Sequence, residues 1–522
     1  MQAPRKWIFL VPAAVLSPLV LALVVIKLVR IDWLRGDSAM YFQVLRNIAA
    51  NGTPTSSLYR HIIAFTHSGL AKMTATGIAS STLIPPADGN SNILHLHSYF
   101  ILFPLGLLAK IIPVDFLLAG VFVLTFVGLV YLVVVVLLKK SVPVTSIILL
   151  ALIIMIHPAW SRSVLFGQFY PDRIFMLAGF LLMLLAAGTK QSRAALVGIA
   201  VLCASIDERG ALSAGGALLL YVLLYWRAVH DKLFKLITAA MLLIFAELMF
   251  RFVIHNGAYG SFMPTNIYSL LIELSQPSFT NGIYTFLFVN LALLIIASFE
   301  WRAALIALVM MLPNILGNIG GAEKTGWSTH YPSFYFPILV WAATFGLTRA
   351  YQLASKVKLK WIFYTGVSAM LLLICVIRPY AVPPQLSLAE LSRNFVPTLI
   401  AQSQNYISPA GIELYRSGEL LSAAIPEGAT VTTVEGGMPF LYHNRTLYFF
   451  PMDLDQADYA VLPVTRGKNG LVYGGIVSVL GPAEQQLINS VIAKRMRSDG
   501  YDLDHPNIIS GLAIAVIKRN TH

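Results

Sequence analysis

Charge is what this chain has least of. Only 12% of its 522 residues are Asp, Glu, Lys or Arg, against about 25% in an ordinary water-soluble domain. The deficit excludes a conventional water-facing surface over most of the length. Cysteine is nearly absent too. Cys203 and Cys375 both fall inside apolar runs, where cysteine behaves as a small apolar side chain, so neither a disulfide framework nor a redox compartment is indicated. There is no repeat of solenoid period and no low-complexity tract. The glycine-containing run Gly320–Pro332 is not a Walker motif, because no strand precedes it and its spacing is wrong. The net charge of +13 does not point to nucleic acid. Many of the basic residues sit in short clusters between apolar runs, the pattern of cytoplasmic loops and anionic lipid headgroups.

What the chain has in place of charge is a series of apolar runs. A stretch of about 20 apolar residues is long enough to cross the hydrocarbon core as a helix. Candidate spans lie at about 7–29, 114–138, 142–158, 173–189, 194–206, 211–226, 233–254, 282–299, 303–319, 333–348 and 361–378, about eleven in all. The first follows Arg5 and Lys6. It is too long for a signal peptide and lacks a small-residue cleavage site, so it reads as a retained anchor.

The basic residues set the orientation. With Arg5 and Lys6 in the cytoplasm, alternation brings every short basic loop to the same side: Lys139 and Lys140, Lys190 and Arg193, Arg227, Lys232 and Lys235, Arg302, then Arg349, Lys356, Lys358 and Lys360. Lys27, Arg30 and Arg35 on the outer side run against the pattern. The stretch 97–112 is barely long enough to span and contains Pro104. Counted as a span it would invert everything downstream, so it reads as an interfacial or re-entrant helix on the outer face. The expected protein is a polytopic α-helical inner-membrane protein. Residues 1–378 form its transmembrane part, including a long first outer loop at 30–113. Residues 379–522, of ordinary soluble composition, form a small extracytoplasmic α/β domain. Strands are expected at Ala429–Val434, Thr446–Phe450, Tyr459–Leu462, Leu471–Leu480 and Leu512–Lys518, with a helix at Ala483–Arg497.

Polar residues collect near the ends of the apolar runs on that outer face. Asp37 follows the first span and precedes a helical pattern ending at Asn51-Gly52. It suits an N-cap, or a base acting on a lipid-linked substrate, and the two roles can coexist. His95 and His97 form an i, i+2 pair able to hold a metal or a phosphate, although solvated interfacial histidines are the commoner case. Asp172 lies at the mouth of a span beside Arg173, with which it can simply pair. Asp207-Glu208-Arg209 is wedged between two apolar runs with almost no loop. Ionisable residues at that depth are costly and tend to be functional, and Arg209 can grip a phosphate with a two-pronged hydrogen bond. Lys324 and His330 are candidates for binding a diphosphate. No motif demands a metal or cofactor; a divalent cation is possible but not implied.

In order along the chain, Gly36-Asp37 through Asn51-Gly52, His97 through Pro104, Gly167-Gln168-Phe169-Tyr170-Pro171-Asp172, Asp207-Glu208, His330-Tyr331, Ile425–Ala429 through Asn444-Arg445 and Tyr448–Pro451 resemble the C-type (GT-C) membrane glycosyltransferases. More closely they resemble the bacterial membrane proteins grouped as domain of unknown function 2079. The resemblance implies a polyprenyl-phosphate-linked sugar donor, used outside the cytoplasmic membrane, and a glycan, lipid or protein acceptor. It implies Asp37 as general base and displacement with inversion at the anomeric carbon. This chain shows Gly-Asp-Ser where many relatives have two adjacent acids, so a second carboxylate must come from elsewhere, with Asp172 or Asp207 as candidates. Arg209, Lys324, His330 and Tyr331, with His95, His97 and Glu208, are the implied substrate and phosphate contacts. Two other classes compete: a lipid-linked-substrate transporter or flippase, and a non-catalytic envelope assembly protein.

Overall fold

The computed structural model describes residues 7–29, 37–58, 92–188, 192–254, 267–317, 322–327, 329–356, 409–434, 437–441, 446–450, 454–467, 470–473 and 493–520. The expected span at 361–378, most of the expected helix at 483–497 and the strand residues after Tyr473 lie outside the described residues.

The helices of seven residues or more among the described residues, in chain order, are α1 (Trp7–Val29), α2 (Asp37–Asn51), α3 (Leu102–Leu108), α4 (Val114–Lys139), α5 (Val144–Ile156), α6 (Pro158–Phe166), α7 (Phe175–Ala187), α8 (Arg193–Ile206), α9 (Glu208–Leu224), α10 (Lys232–Phe252), α11 (Ile267–Ser275), α12 (Pro277–Ser298), α13 (Trp301–Leu316), α14 (Phe336–Lys356) and α15 (Pro409–Ala423). Four helical stretches among the described residues are long and apolar enough to cross a membrane: Trp7–Leu28, Val114–Lys139, Lys232–Phe252 and Phe279–Ser298. A fifth is added if α5 and α6, bent by 61° at their junction, form one broken span. α8 and α13 are apolar but shorter. These four or five helices are the part of the eleven-span expectation that the fold carries directly.

Sequence explains where the helices stop. α5 ends at His157 because Pro158 follows, and a residue before proline is driven out of helical backbone. His157 takes φ −57° and ψ 132°, and its Nδ1 accepts the Ala159 amide at 3.1 Å, capping α6. α8 ends because Asp207 is fully extended, at φ −171° and ψ 177°, and starts α9 by accepting the Gly210 amide on its own carboxylate. The stretch 97–112 forms only the seven-residue α3. At 1.5 Å per residue that is roughly 10 Å, too short to cross.

The chain divides into two compact units: 1–26, 97–104 and 116–399 in the first, and 27–96, 105–115 and 400–522 in the second. In the first, α9 packs on α10, α8 and α13, while α14 packs on α12, α13 and α7. At Gly346 of α14 the backbone of α12 is so close that a Cβ would stand 2.0 Å from the Ile296 carbonyl oxygen, so only glycine fits this crossing. The outer surfaces of the long helices are apolar: Leu124 on α4, and Leu233, Ile237 and Met241 on α10, are more than half exposed. In water that exposure would be costly; against lipid it is the expected surface.

The second unit is built on a six-stranded mixed sheet: β1 (Thr430–Thr433), β2 (Thr446–Phe449), β3 (Tyr459–Gly467), β4 (Gly470–Tyr473), β5 (Asn507–Ile509) and β6 (Ile514–Lys518). The strand order is β2-β1-β3-β6-β5, with β4 paired to β3. β1 runs parallel to both neighbours, and β6 runs antiparallel to β3 and β5. Leu462, Ile517, Phe450, Met496 and Tyr501 form its apolar core. The Tyr501 hydroxyl is satisfied there by donating to the Leu454 and Ala457 carbonyls, each at 2.8 Å. The first-loop helix α2 belongs to this unit. Gln43 of α2 and Ser57 both donate to the Leu447 carbonyl of β2, and Gln43 accepts the Ser56 hydroxyl at 2.6 Å.

Candidate functional site

The backbone break at Asp207 gathers charge in the first unit. Asp207 and Glu208 lie at the start of α9, where the exposed amides of a helix N-terminus favour negative groups. Neither is accessible to solvent, and neither is Asp172 in the 3-10 turn Pro171–Ile174 that leads into α7. Arg209 ties two of them together. Its Nε donates to Asp207 Oδ2 at 2.9 Å and its Nη2 donates to Asp172 Oδ2 at 2.8 Å. The guanidinium also stacks 5.1 Å over the Phe334 ring. Glu208 faces the segment ahead of α3: Oε1 lies 2.7 Å from His97 Nδ1, and Oε2 accepts the Ser98 amide at 2.9 Å and the Ser98 hydroxyl at 3.2 Å. His330 completes the group, its Nδ1 3.9 Å from Asp172 Oδ2. Its ring sits between Tyr170, 4.9 Å away between centroids, and Tyr331, at 4.3 Å.

Three buried carboxylates therefore surround one guanidinium, and two of them, Asp207 and Asp172, shift in opposite directions. Burial pushes Asp207 well above the usual carboxylate range, and the nearby charges of Asp172 and Glu208 add to that against Arg209. Burial also opposes ionisation of Asp172, but Arg209 leads the attractions that outweigh it and hold this group below its ordinary value. Burial lowers His330 to about 3 despite the pull of Asp172. His330 is therefore a neutral imidazole at physiological pH, suited to hydrogen bonding rather than to supplying positive charge. Ligand atoms of His97, Asp207 and Glu208 lie within 4.8 Å of one another, so these three could hold a metal ion.

Of the residues singled out from sequence, Asp172, Asp207, Glu208, Arg209, His97 and His330 come together in this one group, with Tyr331 against the His330 ring. Lys324 is engaged elsewhere: its ammonium meets Glu323 at 2.6 Å and the Gly317 carbonyl, 4.0 Å over the Phe279 ring. Asp37, half-buried in the first turn of α2, and His95, in the 3-10 turn Ile93–His95, belong to the second unit. Arg173 feels the charge of Asp172. Its guanidinium lies 5.1 Å over the Phe122 ring and donates to the Thr329 carbonyl at 3.3 Å. Ser98, which holds Glu208 through both its amide and its hydroxyl, carries no sequence signal of its own. Comparison of the chain with protein families, with curated proteins and with solved structures finds no match in any of the three.

Proposed function

We propose that the chain is a membrane glycosyltransferase that moves a sugar from a polyprenyl-phosphate donor to an acceptor on the outer face of the cytoplasmic membrane. The observation that carries the reading is the group of buried Asp172, Asp207 and Glu208 around the partly exposed Arg209, at breaks between apolar helices. Ionisable side chains at such positions are expensive to retain and mark substrate sites. Apolar outer helix surfaces suit a lipid-borne substrate, and the C-terminal strands and helices suit the extracytoplasmic domain expected over 379–522. Within this reading the chain spans the membrane about eleven times, with its N-terminus in the cytoplasm and its C-terminus outside.

The chemistry is a single displacement. A carboxylate accepts the proton of the acceptor hydroxyl, and the acceptor oxygen forms a bond to the anomeric carbon. The bond from that carbon to the phosphate oxygen breaks, its electron pair leaves on polyprenyl phosphate, and the configuration inverts. A guanidinium held in place before the reaction stabilises that developing charge without reorganising, which is the part assigned to Arg209. Neutral His330, with Tyr331, Lys324, His95 and His97, is assigned to substrate and phosphate contacts. The resemblance assigns the base to Asp37, with Asp172 or Asp207 as the second carboxylate.

The test is transfer from a radiolabelled polyprenyl-phosphate sugar to membrane acceptors by the purified protein in lipid nanodiscs. Asp37→Asn keeps size and most capping ability and should lower transfer by about 100- to 10,000-fold, the usual contribution of a general base. Asp88→Asn in the same loop should leave it unchanged. Full transfer by Asp37→Asn would remove Asp37 as the base. A wild-type protein that moves the intact donor between leaflets, or only recruits envelope partners, would replace the glycosyltransferase reading with the transporter or assembly alternative.

A further inference from the structure

Charge balance in the buried group is incomplete. Three carboxylates with no solvent exposure are met by one guanidinium and by the His97 ring. An ionised carboxylate closed off from water needs compensation, by a shared proton or by a bound cation. Asp172 shows where the gap lies. Its Oδ2 is held by Arg209, but its Oδ1, also buried, has no hydrogen-bond partner among the described residues.

The geometry points to a divalent-cation site formed by His97, Asp207 and Glu208, with Asp172 beside it. Two atoms bound to one ion at about 2.1–2.3 Å are at most about 4.5 Å apart. The three ligand atoms, within 4.8 Å of one another, need to close by only a few tenths of an ångström. Both carboxylate ligands are already oriented by second contacts. Ser98 fixes Glu208, and the Gly210 amide and Arg209 fix Asp207. Supporting hydrogen bonds of this kind are what metal-ligating carboxylates and histidines require. One imidazole among carboxylates suits Mn2+ or Zn2+ better than Mg2+ or Ca2+, which prefer all-oxygen shells. The ion would offset carboxylate charge in a place closed to solvent.

The inference stands apart from sugar transfer, because it concerns the metal alone. The full chain in nanodiscs, stripped with chelator, is titrated with MnCl2 and unbound Mn2+ is followed by its electron paramagnetic resonance signal. Binding of one ion per chain is expected, displaced readily by ZnCl2 and poorly by MgCl2. His97→Gln and Glu208→Gln should each weaken it by at least about tenfold, by analogy with the 10- to 100-fold cost of losing even a supporting contact. His97→Gln exchanges an imidazole for a neutral amide, so it keeps the test decisive should Glu208→Gln fail to fold. Absence of Mn2+ and Zn2+ binding by wild type, or unchanged affinity in folded His97→Gln, would overturn the site and show that protons balance the carboxylates instead.

Discussion

The helical region at 116–356 and the strand region at 409–520 place their charge in opposite ways. In the helical region Asp172, Arg173, Asp207, Glu208, Glu323 and Lys324 are buried, while large apolar side chains such as Leu124 of α4 and Leu233, Ile237 and Met241 of α10 are exposed. In the strand region the buried polar residues among the described ones are Ser417, Thr432 and Thr433, none of them charged, and the core is Leu462, Ile517, Phe450 and their neighbours. One chain thus follows two solvent rules. The strand region buries apolar area away from water in the ordinary way. The helical region has no such gradient to exploit against lipid, so its apolar side chains can face outward and its interior is free to hold a charged site.

The largest effect should come from removing the centre of that charge. Arg209→Met leaves Asp172 and Asp207 without their shared partner. Breaking a buried pair from one side costs about 3–5 kcal/mol. Thermal unfolding in nanodiscs should show a loss of that size, and a loss below about 1 kcal/mol, a surface-pair value, would mean that the group is solvated.

A charge placed on the two surfaces sharpens the contrast. Leu124 on α4 and Leu420 on α15 are 57% and 59% exposed, indistinguishable by accessibility. Leu124→Lys should cost about 2.5–3.5 kcal/mol and impair membrane insertion. Leu420→Lys should stay within about 0.5 kcal/mol. Equal tolerance in an insertion and stability assay would remove lipid from the outside of α4. Leu462→Ala, in the sheet core, should cost about 2–5 kcal/mol, measured as loss of protease resistance in the C-terminal region. A smaller effect than that in the sheet core belongs to Gly428, at φ +79° with open space around its Cα. Gly428→Ala meets no atom, so only the backbone penalty of roughly 1–2 kcal/mol remains. A neutral outcome in the same assay would mean that this turn adopts another conformation.

Much of this was legible in the sequence, and the remainder follows a physical pattern. The strands β1, β2, β3 and β6 stand out because short apolar runs between turn residues have few other uses. β5 does not, being three residues directly after Pro506 with only half the alternation of a strand. Asp207-Glu208-Arg209 is visible as charge between apolar runs. Its partners are not, because Asp172 is 37 positions from Arg209 and His97 is 111 from Glu208, and only helix packing brings them together. The neighbouring Arg173 feels Asp172 as well, but the hydrogen bond to Asp172 Oδ2 comes from the distant Arg209. Hydropathy also reads composition rather than continuity, so it cannot tell a straight span from the pair α5 and α6, bent where Pro158 follows His157.

Donor binding tests the central claim most directly: that the buried carboxylate and arginine group serves a phosphate-linked lipid sugar. Equilibrium binding of a radiolabelled polyprenyl-phosphate sugar to the protein in nanodiscs should be saturable and competed by free polyprenyl phosphate. It should weaken by at least about tenfold in Arg209→Lys, which keeps the charge but loses the planar two-pronged donor. Absence of saturable binding by the wild-type protein, or unchanged affinity in Arg209→Lys, would contradict it.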